Sequence, residues 1–353
     1  MRGYGIKVDQ HNAQHIIRLL KKMELRDRAF EIIRRNGHLV IPIKRDLSIA
    51  ELTEISGSSS RAKVVEEEFM TSSQRPRDLR EAIGRALPSD IADQLPRSYD
   101  VVGDIGILEL NDELQAFSKI IANGLMNLNP HLRLVVREVE KTSGQYRTRG
   151  IEVIAGSGST ETVHFEFSSK FHLDVASVYF NPRLSHERMR VASQVMGGEV
   201  VVDMFAGVGT YSILIAKMQS RARVFSIDLN PAAYKYLQEN IFVNKVADKV
   251  TPLLGDSREV ASKLPGIADR VIMNLPSDSQ TFLGAAAKFL RKSGGILHFY
   301  CFGSRSEELQ NLSDSFQDEI ESYGRRVASF SFLQAIKEVA PNRVQVALDA
   351  IIL

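Results

Sequence analysis

Apolar and polar positions change rhythm along this chain, and each change marks a part of it. From residue 200 onward, short β-branched runs alternate with longer stretches of helical period. The pattern predicts strands at 200–203, 223–228, 250–254, 269–274 and 295–302, with helices at 210–218, 231–243, 257–264, 279–291 and 304–322. Such alternation is that of a mostly parallel sheet in an α/β fold. Ser329–Leu333 and Val344–Ile352 predict an antiparallel end. Between 73 and 167 the rhythm differs. Helical stretches at Leu79–Leu87 and Ile91–Leu95 precede a strand, Val101–Leu110, bent at a glycine. A helix over Glu113–Met126 follows, then strands at Leu134–Val139, Ile151–Ala155 and Thr162–Phe167. This is an α+β domain with a largely antiparallel sheet. The first 65 residues predict a small α/β module, with an amphipathic basic helix over Ala13–Met23 behind the capping run Asp9–Asn12 and a strand at Leu39–Ile43. Ser56–Ser60 is the clearest flexible stretch. The expected organisation is a module at 1–65, a linker at 66–72, a middle domain at 73–167 and an α/β domain at 168–353.

Candidate chemistry concentrates at the ends of the predicted strands. Val200-Val201-Val202-Asp203 runs into a turn carrying Gly207 and Gly209, then an apolar helix. Glycines there let backbone approach a ligand, and the helix start favours negative charge. A dinucleotide fold wants a third glycine, where this chain has Ser212, and has no acid before the glycines. Asp203 suits a ligand with an ammonium group, as in S-adenosylmethionine. Asp228, ending the next strand, can accept two ribose hydroxyls, and Asp256 is placed to reach an adenine amine. Three strand-terminal acids in succession favour the methyl donor. The fourth strand ends in Asn274-Leu275-Pro276, a stiff turn that can offer amide and carbonyl groups to a planar substrate. Arg147 and Arg149 sit in a loop between middle-domain strands. Such arginines are commonly solvated, yet a guanidinium there could meet a phosphate or a base. Glu187 falls in the first turn of a helix that Ser185 can cap, and by itself reads as an ordinary helix-start acid.

Composition narrows the setting. With 353 residues, 44% hydrophobic and 25% charged, the chain has the make-up of a multidomain globular protein. The net charge of +2 argues against a strongly basic coat, but residues 1–65 hold 13 Lys+Arg against 7 Asp+Glu. That asymmetry permits a polyanionic partner. The single cysteine, Cys301, excludes an intramolecular disulfide and a multi-cysteine metal site, and speaks against methyltransferases that use paired cysteines. No apolar run has transmembrane length and no signal-peptide core is evident, so a cytoplasmic location is expected.

Together the motifs Asp203-Met-Phe-Ala-Gly-Val-Gly, Ile227-Asp228-Leu229-Asn230-Pro231, Met273-Asn274-Leu275-Pro276, Tyr179-Phe-Asn-Pro-Arg183-Leu-Ser-His-Glu187-Arg188 and Val102-Gly-Asp-Ile-Gly-Ile-Leu resemble the archaeal and eukaryotic tRNA guanine 37 N1-methyltransferases. The resemblance spans nearly the whole chain. It implies a Rossmann-like S-adenosylmethionine-dependent methyltransferase domain preceded by the α+β middle domain and the N-terminal module. It also implies methyl transfer to N1 of the guanine 3′ of the anticodon, with Glu187 as general base, Arg147 as partner of O6 and Asn274 holding the guanine edge. The implied donor site comprises Tyr179, Asp203, Phe205, Gly207, Gly209, Asp228, Leu229, Asp256, Asn274 and Pro276, with no metal. The implied partner is tRNA, gripped at the anticodon stem-loop and outer corner by a monomer. Thr210, Gly106 and Ser279 depart from the family pattern at positions where Pro, Ala and Ala are usual. The alternatives are a wybutosine-pathway transferase, moving an aminocarboxypropyl group or methylating a tricyclic guanine derivative, and a non-catalytic tRNA-binding protein of the same fold.

Overall fold

In the computed structural model the described residues are 2–9, 12–35, 38–57, 62–71, 76, 78–83, 86–144, 146, 148–304 and 309–353. The chain divides into two compact units, Met1–Ala82 and Ile83–Leu353.

The first unit contains strands Arg2–Asp9 (β1), Ile33–Arg35 (β2), His38–Pro42 (β3) and Lys63–Glu68 (β4), with helices Ala13–Lys22 (α1), Ile49–Gly57 (α2) and Leu79–Ile83 (α3) at its end. The strands form one antiparallel sheet in the order β2-β3-β1-β4. Helix α1 buries Ala13, Ile16 and Leu20, three and four residues apart, against Ile6, Val8, Ile41 and Ile55. Its opposite face exposes Arg18, Lys21 and Lys22. Of the flexible stretch expected at 56–60, Ser56 and Gly57 close α2, and the rest lies outside the described residues. The linker expected at 66–72 is in part a strand: Glu66, Glu67 and Glu68 pair with Tyr4, Gly3 and Arg2. A run of carboxylates reads as loop in sequence, but an edge strand carries charge readily because one side faces water.

The second unit opens with helix Ser89–Ala92 (α4) and strands Asp100–Val102 (β5) and Ile105–Leu108 (β6). Helices Asp112–Gln115 (α5) and Ser118–Leu128 (α6) lead to strands Leu134–Ser143 (β7) and Thr148–Gly156 (β8). Strands β5-β6-β7-β8 make a sheet in which only the β6–β7 pair is parallel. The single strand expected over 101–110 is a tight hairpin. Gly103 turns it with φ +59°, and a Cβ there would lie 2.1 Å from Thr162 Oγ1. Strands Glu161–Glu166 (β9) and Ser169–Asp174 (β10) form a separate hairpin, so the expected boundary at 167/168 falls inside its two-residue turn.

The remainder supplies helix Ser185–Gln194 (α7), then strands Val200–Asp203 (β11), Arg223–Asp228 (β12), Val250–Leu254 (β13), Arg270–Met273 (β14), Gly295–Ser304 (β15), Val327–Ala340 (β16) and Arg343–Ile352 (β17). Helices Thr210–Met218 (α8), Pro231–Val243 (α9), Ser257–Lys263 (α10), Leu283–Phe289 (α11) and Leu309–Ser322 (α12) connect them. The sheet order is β13-β12-β11-β14-β15-β17-β16, with β17 and β16 antiparallel at one edge. Successive residues of β11 face opposite ways: Val201 joins one core cluster and Val202 the other. Both faces are covered, which is why these strands read as unbroken apolar runs. The cluster that holds Val201 also takes in Val102, Ile105, Leu134 and Val136, so the middle sheet shares its core with the larger domain. Strand β11 lies between β12 and β14, where the chain direction of the connections reverses and a crevice opens beyond the strand ends. Among the described residues no helix is long and apolar enough to cross a membrane.

Candidate active site

A cleft of about 1030 Å³ opens at that point. The glycine turn after β11 forms one wall. Gly207 has φ +55°, and a Cβ there would meet only the Tyr179 carbonyl oxygen, at 3.8 Å, so the space above it is open. Its N–H donates to Asp228 Oδ2 at 2.7 Å, while Asp228 Oδ1 accepts from the Asn230 N–H at 2.9 Å. Burial pushes the Asp228 carboxyl up, against those backbone donors. Gly209 serves packing instead. With φ +94°, its Cβ would lie 2.7 Å from Leu237 Cδ1, and it is not part of the cleft surface.

Asp203 lies under the turn rather than on the cleft. It is 0% exposed, and Oδ2 accepts from the Ser212 hydroxyl at 2.7 Å. Its other oxygen is buried without a hydrogen bond. Burial pushes this carboxyl up to about 7, with the Ser212 hydroxyl opposing the shift and the charge of Asp228 adding to it. The side chain is drawn inward because Ser212 stands two residues into α8, directly beneath the turn. This residue supports the glycine loop.

The adjoining wall is apolar and aromatic. Phe205 packs edge-on against Phe282 with centroids 4.9 Å apart, and the Arg258 guanidinium lies 4.7 Å from the Phe282 centroid. Arg258 grips Asp256, holding that carboxyl below its ordinary value, and Asp256 Oδ1 caps α10 through the Arg258 N–H at 2.8 Å. Leu229, Asp256, Asn274 and Pro276 all line the cleft. The Asn274 amide oxygen faces Gln345 Nε2 at 3.4 Å. Ser279 fixes the turn that bears Asn274, its hydroxyl donating to Leu275 O at 2.6 Å and reaching Tyr300 O as well.

The rest of the lining comes from the middle sheet, the stretch after β10 and β16. Tyr179 is 39% exposed and lines the cleft, with the Arg149 guanidinium 5.2 Å from its ring centroid. Arg149 is hydrogen-bonded to Glu138, whose carboxyl is raised by burial more than Arg149 lowers it. Lys337, from β16, also lines the cleft, and burial lowers its ammonium. Arg147 lies outside the described residues.

Glu187 is 7% exposed and stands one residue from the cleft-lining Arg188, but does not itself line the cleft. Its carboxylate takes a fork from Arg190 (2.8 and 2.7 Å), and Tyr300 donates its hydroxyl to Oε1 at 2.6 Å. The cleft thus gathers Tyr179, Phe205, Gly207, Asp228, Leu229, Asp256, Asn274 and Pro276, and leaves Asp203, Gly209 and Glu187 just behind it. Sequence reasoning missed Phe282, Glu138, Lys337 and Gln345. Only Gln345 gave a signal, as a lone amide inside the apolar run Val344–Ala347. Among the described residues no group of three or more His, Cys, Asp or Glu side chains could hold a metal.

Residues 162–325 match the TRM5/TYW2 methyltransferase domain, 79–160 the TYW2 N-terminal domain and 5–51 the tRNA methyltransferase 5 N-terminal domain. Over 352 residues the chain is 38% identical to the tRNA (guanine(37)-N(1))-methyltransferase Trm5b of Pyrococcus abyssi, covering 98% of each chain. The chain belongs to the TRM5/TYW2 methyltransferase family. Within that family it is 33% identical to Trm5b of Methanocaldococcus jannaschii over 98% of this chain and 97% of that one. The tRNA(Phe) (4-demethylwyosine(37)-C(7)) aminocarboxypropyltransferase of Pyrococcus horikoshii is 32% identical, over 78% of this chain and 96% of its own. Among solved structures, wild-type Trm5b from Pyrococcus abyssi superposes with TM-score 0.71 at 36% identity, covering 99% of each chain. A complex of aTrm5 with tRNALeu gives 0.68 at 31% identity, covering 98% and 99%. The TYW2 of M. jannaschii in complex with AdoMet gives 0.57 at 29%, covering 72% and 99%.

Proposed function

We propose that this protein transfers the methyl group of S-adenosylmethionine to N1 of guanine 37 in tRNA. The observation that carries the reading is likeness to Trm5b from end to end, including the N-terminal match at 5–51. The Pyrococcus horikoshii aminocarboxypropyltransferase matches only 78% of this chain while using 96% of its own, so it has no counterpart for the rest.

The cleft suits the donor. Open space over Gly207, the aromatic wall of Phe205 and Phe282, and the carboxylates of Asp228 and Asp256 fit a nucleoside with a flat base and a diol. S-adenosylmethionine supplies an electrophilic methyl group. Asp203 would act through the loop, holding Gly207 and Phe205 in place from below.

Guanine N1 carries a proton at neutral pH, so the nitrogen attacks only as that proton leaves, and negative charge then gathers on O6. Glu187 takes the proton, Arg147 offsets the charge on O6, and Asn274 holds the guanine edge beside Tyr179. That Glu187 lies one residue from the cleft-lining Arg188 supports its role, and its present engagement with Arg190 and Tyr300 means that the carboxylate must be shared with the substrate. The protein acts as a cytoplasmic monomer. The basic face of α1 supports phosphate contacts at the tRNA outer corner, and a guanine flipped from the anticodon loop would enter the cleft.

The test uses labelled S-adenosylmethionine and two unmodified transcripts of one tRNA, with guanine or adenine at position 37. Label on N1 of guanine alone, reduced ~10²–10⁴-fold in Glu187→Gln, supports the reaction and its base. A mass gain of an aminocarboxypropyl group on pre-modified tRNA, without methyl transfer, would replace it with the wybutosine reaction.

A further inference from the structure

Behind the cleft, six side chains form an unbroken row. Arg190, forked to Glu187, turns its other edge to Asp349, with Nη1 2.5 Å from Oδ2 and Nη2 3.1 Å from Oδ1. Asp349 Oδ1 faces His298 Nδ1 at 2.7 Å, and His298 Nε2 faces Arg270 Nη1 at 2.8 Å. Arg270 ends the row in a fork on Glu199, at 2.8 and 3.2 Å. His298 and Asp349 are fully buried and Arg270 nearly so. The Arg190 guanidinium also rests 3.8 Å from the Phe332 centroid, so both its edges and one face are occupied.

The charges of this row follow from its hydrogen bonds. Arg270 only donates, so His298 Nε2 is the acceptor and the ring proton sits on Nδ1, pointing at Asp349. Burial lowers His298, which is therefore neutral at pH 7. Burial would raise Asp349, but His298 and Arg190 together hold it below its ordinary value, so it is ionised. Three carboxylates thus share two guanidiniums and a neutral imidazole. The row carries one negative charge that nothing within it balances, and uncompensated charge out of water is costly. One proton would neutralise it.

Where that proton can be taken is also set by geometry. Asp349 is filled by His298, Arg190 and Gln194 Nε2, the last at 3.2 Å. Glu199 is at the far end, against the start of β14. Glu187 is the end nearest the cleft. Around it stand Tyr300 from β15, Tyr211 from α8 with its hydroxyl 3.2 Å from that of Tyr300, and Arg188, which is committed to Glu166. Burial raises both phenols, so neither offers a negative charge, and Asp203, raised to about 7, adds a charge near Tyr211 only above that pH.

We propose that Asp349 is a positioning residue for the methyl transfer: by taking one edge of Arg190, with His298 and Arg270 holding it there, it leaves Glu187 as the carboxylate that accepts the guanine proton. The base is then a property of the whole row, tuned from β17 on the far side of Arg190. The inference rests on Glu187 being the base of the proposed reaction.

The experiment measures single-turnover methyl transfer by the full chain to an unmodified guanine 37 transcript, at saturating S-adenosylmethionine, between pH 5.5 and 9. Asp349→Asn keeps an oxygen for His298 and removes the charge, giving Arg190 wholly to Glu187. Its rate at neutral pH should fall about tenfold, and the acid limb should move to lower pH by about one unit. Arg190→Met acts oppositely, moving the acid limb to higher pH. A role confined to holding the fold would lower the rate at every pH and leave the limb in place. Calorimetric binding of S-adenosylmethionine and thermal melting establish that each variant is folded, and either variant alone decides the sign. An unmoved limb, or one moving the same way in both, with Glu187→Gln inactive, overturns the role of Asp349. Full activity in Glu187→Gln overturns the base assignment itself, and the inference with it.

Discussion

Asp203 shows how a single residue can be conspicuous in sequence and act differently in the fold. Its carboxyl is raised to about 7 from an ordinary 3.8, because burial outweighs the Ser212 hydroxyl. A group raised in the folded state stabilises it in the protonated form. That contribution is complete below the unfolded value and disappears as pH climbs through about 7. Asp203→Asn should therefore gain stability on wild type between pH 5 and pH 8, as read from paired urea denaturation midpoints. A constant difference across that range would remove the account. A second prediction concerns Arg188 and Glu166, both buried and doubly hydrogen-bonded, with Nε–Oε1 at 2.8 Å. Arg188→Met leaves a carboxylate stranded in the core and should cost ~3–5 kcal/mol in the same assay. Of the residues expected to form the site, those at strand ends were legible because an open α/β sheet puts its strand termini on the crevice. What could not be read was rotamer direction. An acid ending a strand can line the cleft, as Asp228 does, or turn under the loop, as Asp203 does, and the neighbour that decides, Ser212, looks like any small helix-start residue.

Among the elements, the strand–helix alternation after residue 200 was legible almost throughout, since both sheet faces are buried and the runs are uniformly apolar. Strand β16 was not. It runs from Val327 to Ala340, while only Ser329–Leu333 was expected. Four register shifts along its pairing with β17 break the two-residue alternation, and Lys337 and Glu338 fall in the broken part. That strand delivers Lys337 to the cleft and Phe332 to Arg190, so its irregularity hid part of the site. The β9–β10 turn was hidden too, because its two central residues, Phe167 and Ser168, have φ of +45° and +61° without being glycine or asparagine. Such a turn costs ~1–2 kcal/mol per residue. Ser168→Gly, at an exposed position, should thus raise stability by ~0.5–1 kcal/mol. The glycine turn of the cleft gives a sharper pair. Gly209→Ala pushes a methyl group to 2.7 Å from Leu237 and should lower the melting temperature markedly. Gly207→Ala carries the backbone strain of φ +55° but meets no close neighbour, so its melting temperature should fall less, and it should weaken S-adenosylmethionine binding, as calorimetry would show. Equal effects of the two on donor binding would contradict the division of labour between them.

At the scale of the molecule, charge and chemistry are carried by different units. Residues 1–82 hold 16 Lys+Arg against 12 Asp+Glu, and residues 83–353 hold 29 against 31. All of the net positive charge is thus in the first unit, even after β4 adds its three glutamates. Every residue lining the cleft, by contrast, lies at or beyond Glu109. The core of the first unit, built on Ile6, Ile16, Leu20 and Ile41, is a cluster of its own, while the second unit fuses the middle sheet and the larger sheet around Val102, Ile105 and Val201. A chain beginning at Ile83 should therefore fold and bind S-adenosylmethionine as the full protein does. Its affinity for tRNA should fall, and should fall in a particular way. Every phosphate that the shortened chain no longer neutralises takes ~0.7–0.9 off the slope of log affinity against log salt. Filter binding of one transcript at several salt concentrations would read both quantities. A weaker affinity with a shallower slope places the electrostatic grip in the first unit. A weaker affinity with an unchanged slope would instead mean that the first unit contributes shape and apolar packing, and that the cations touching tRNA lie in the second unit, beside the cleft.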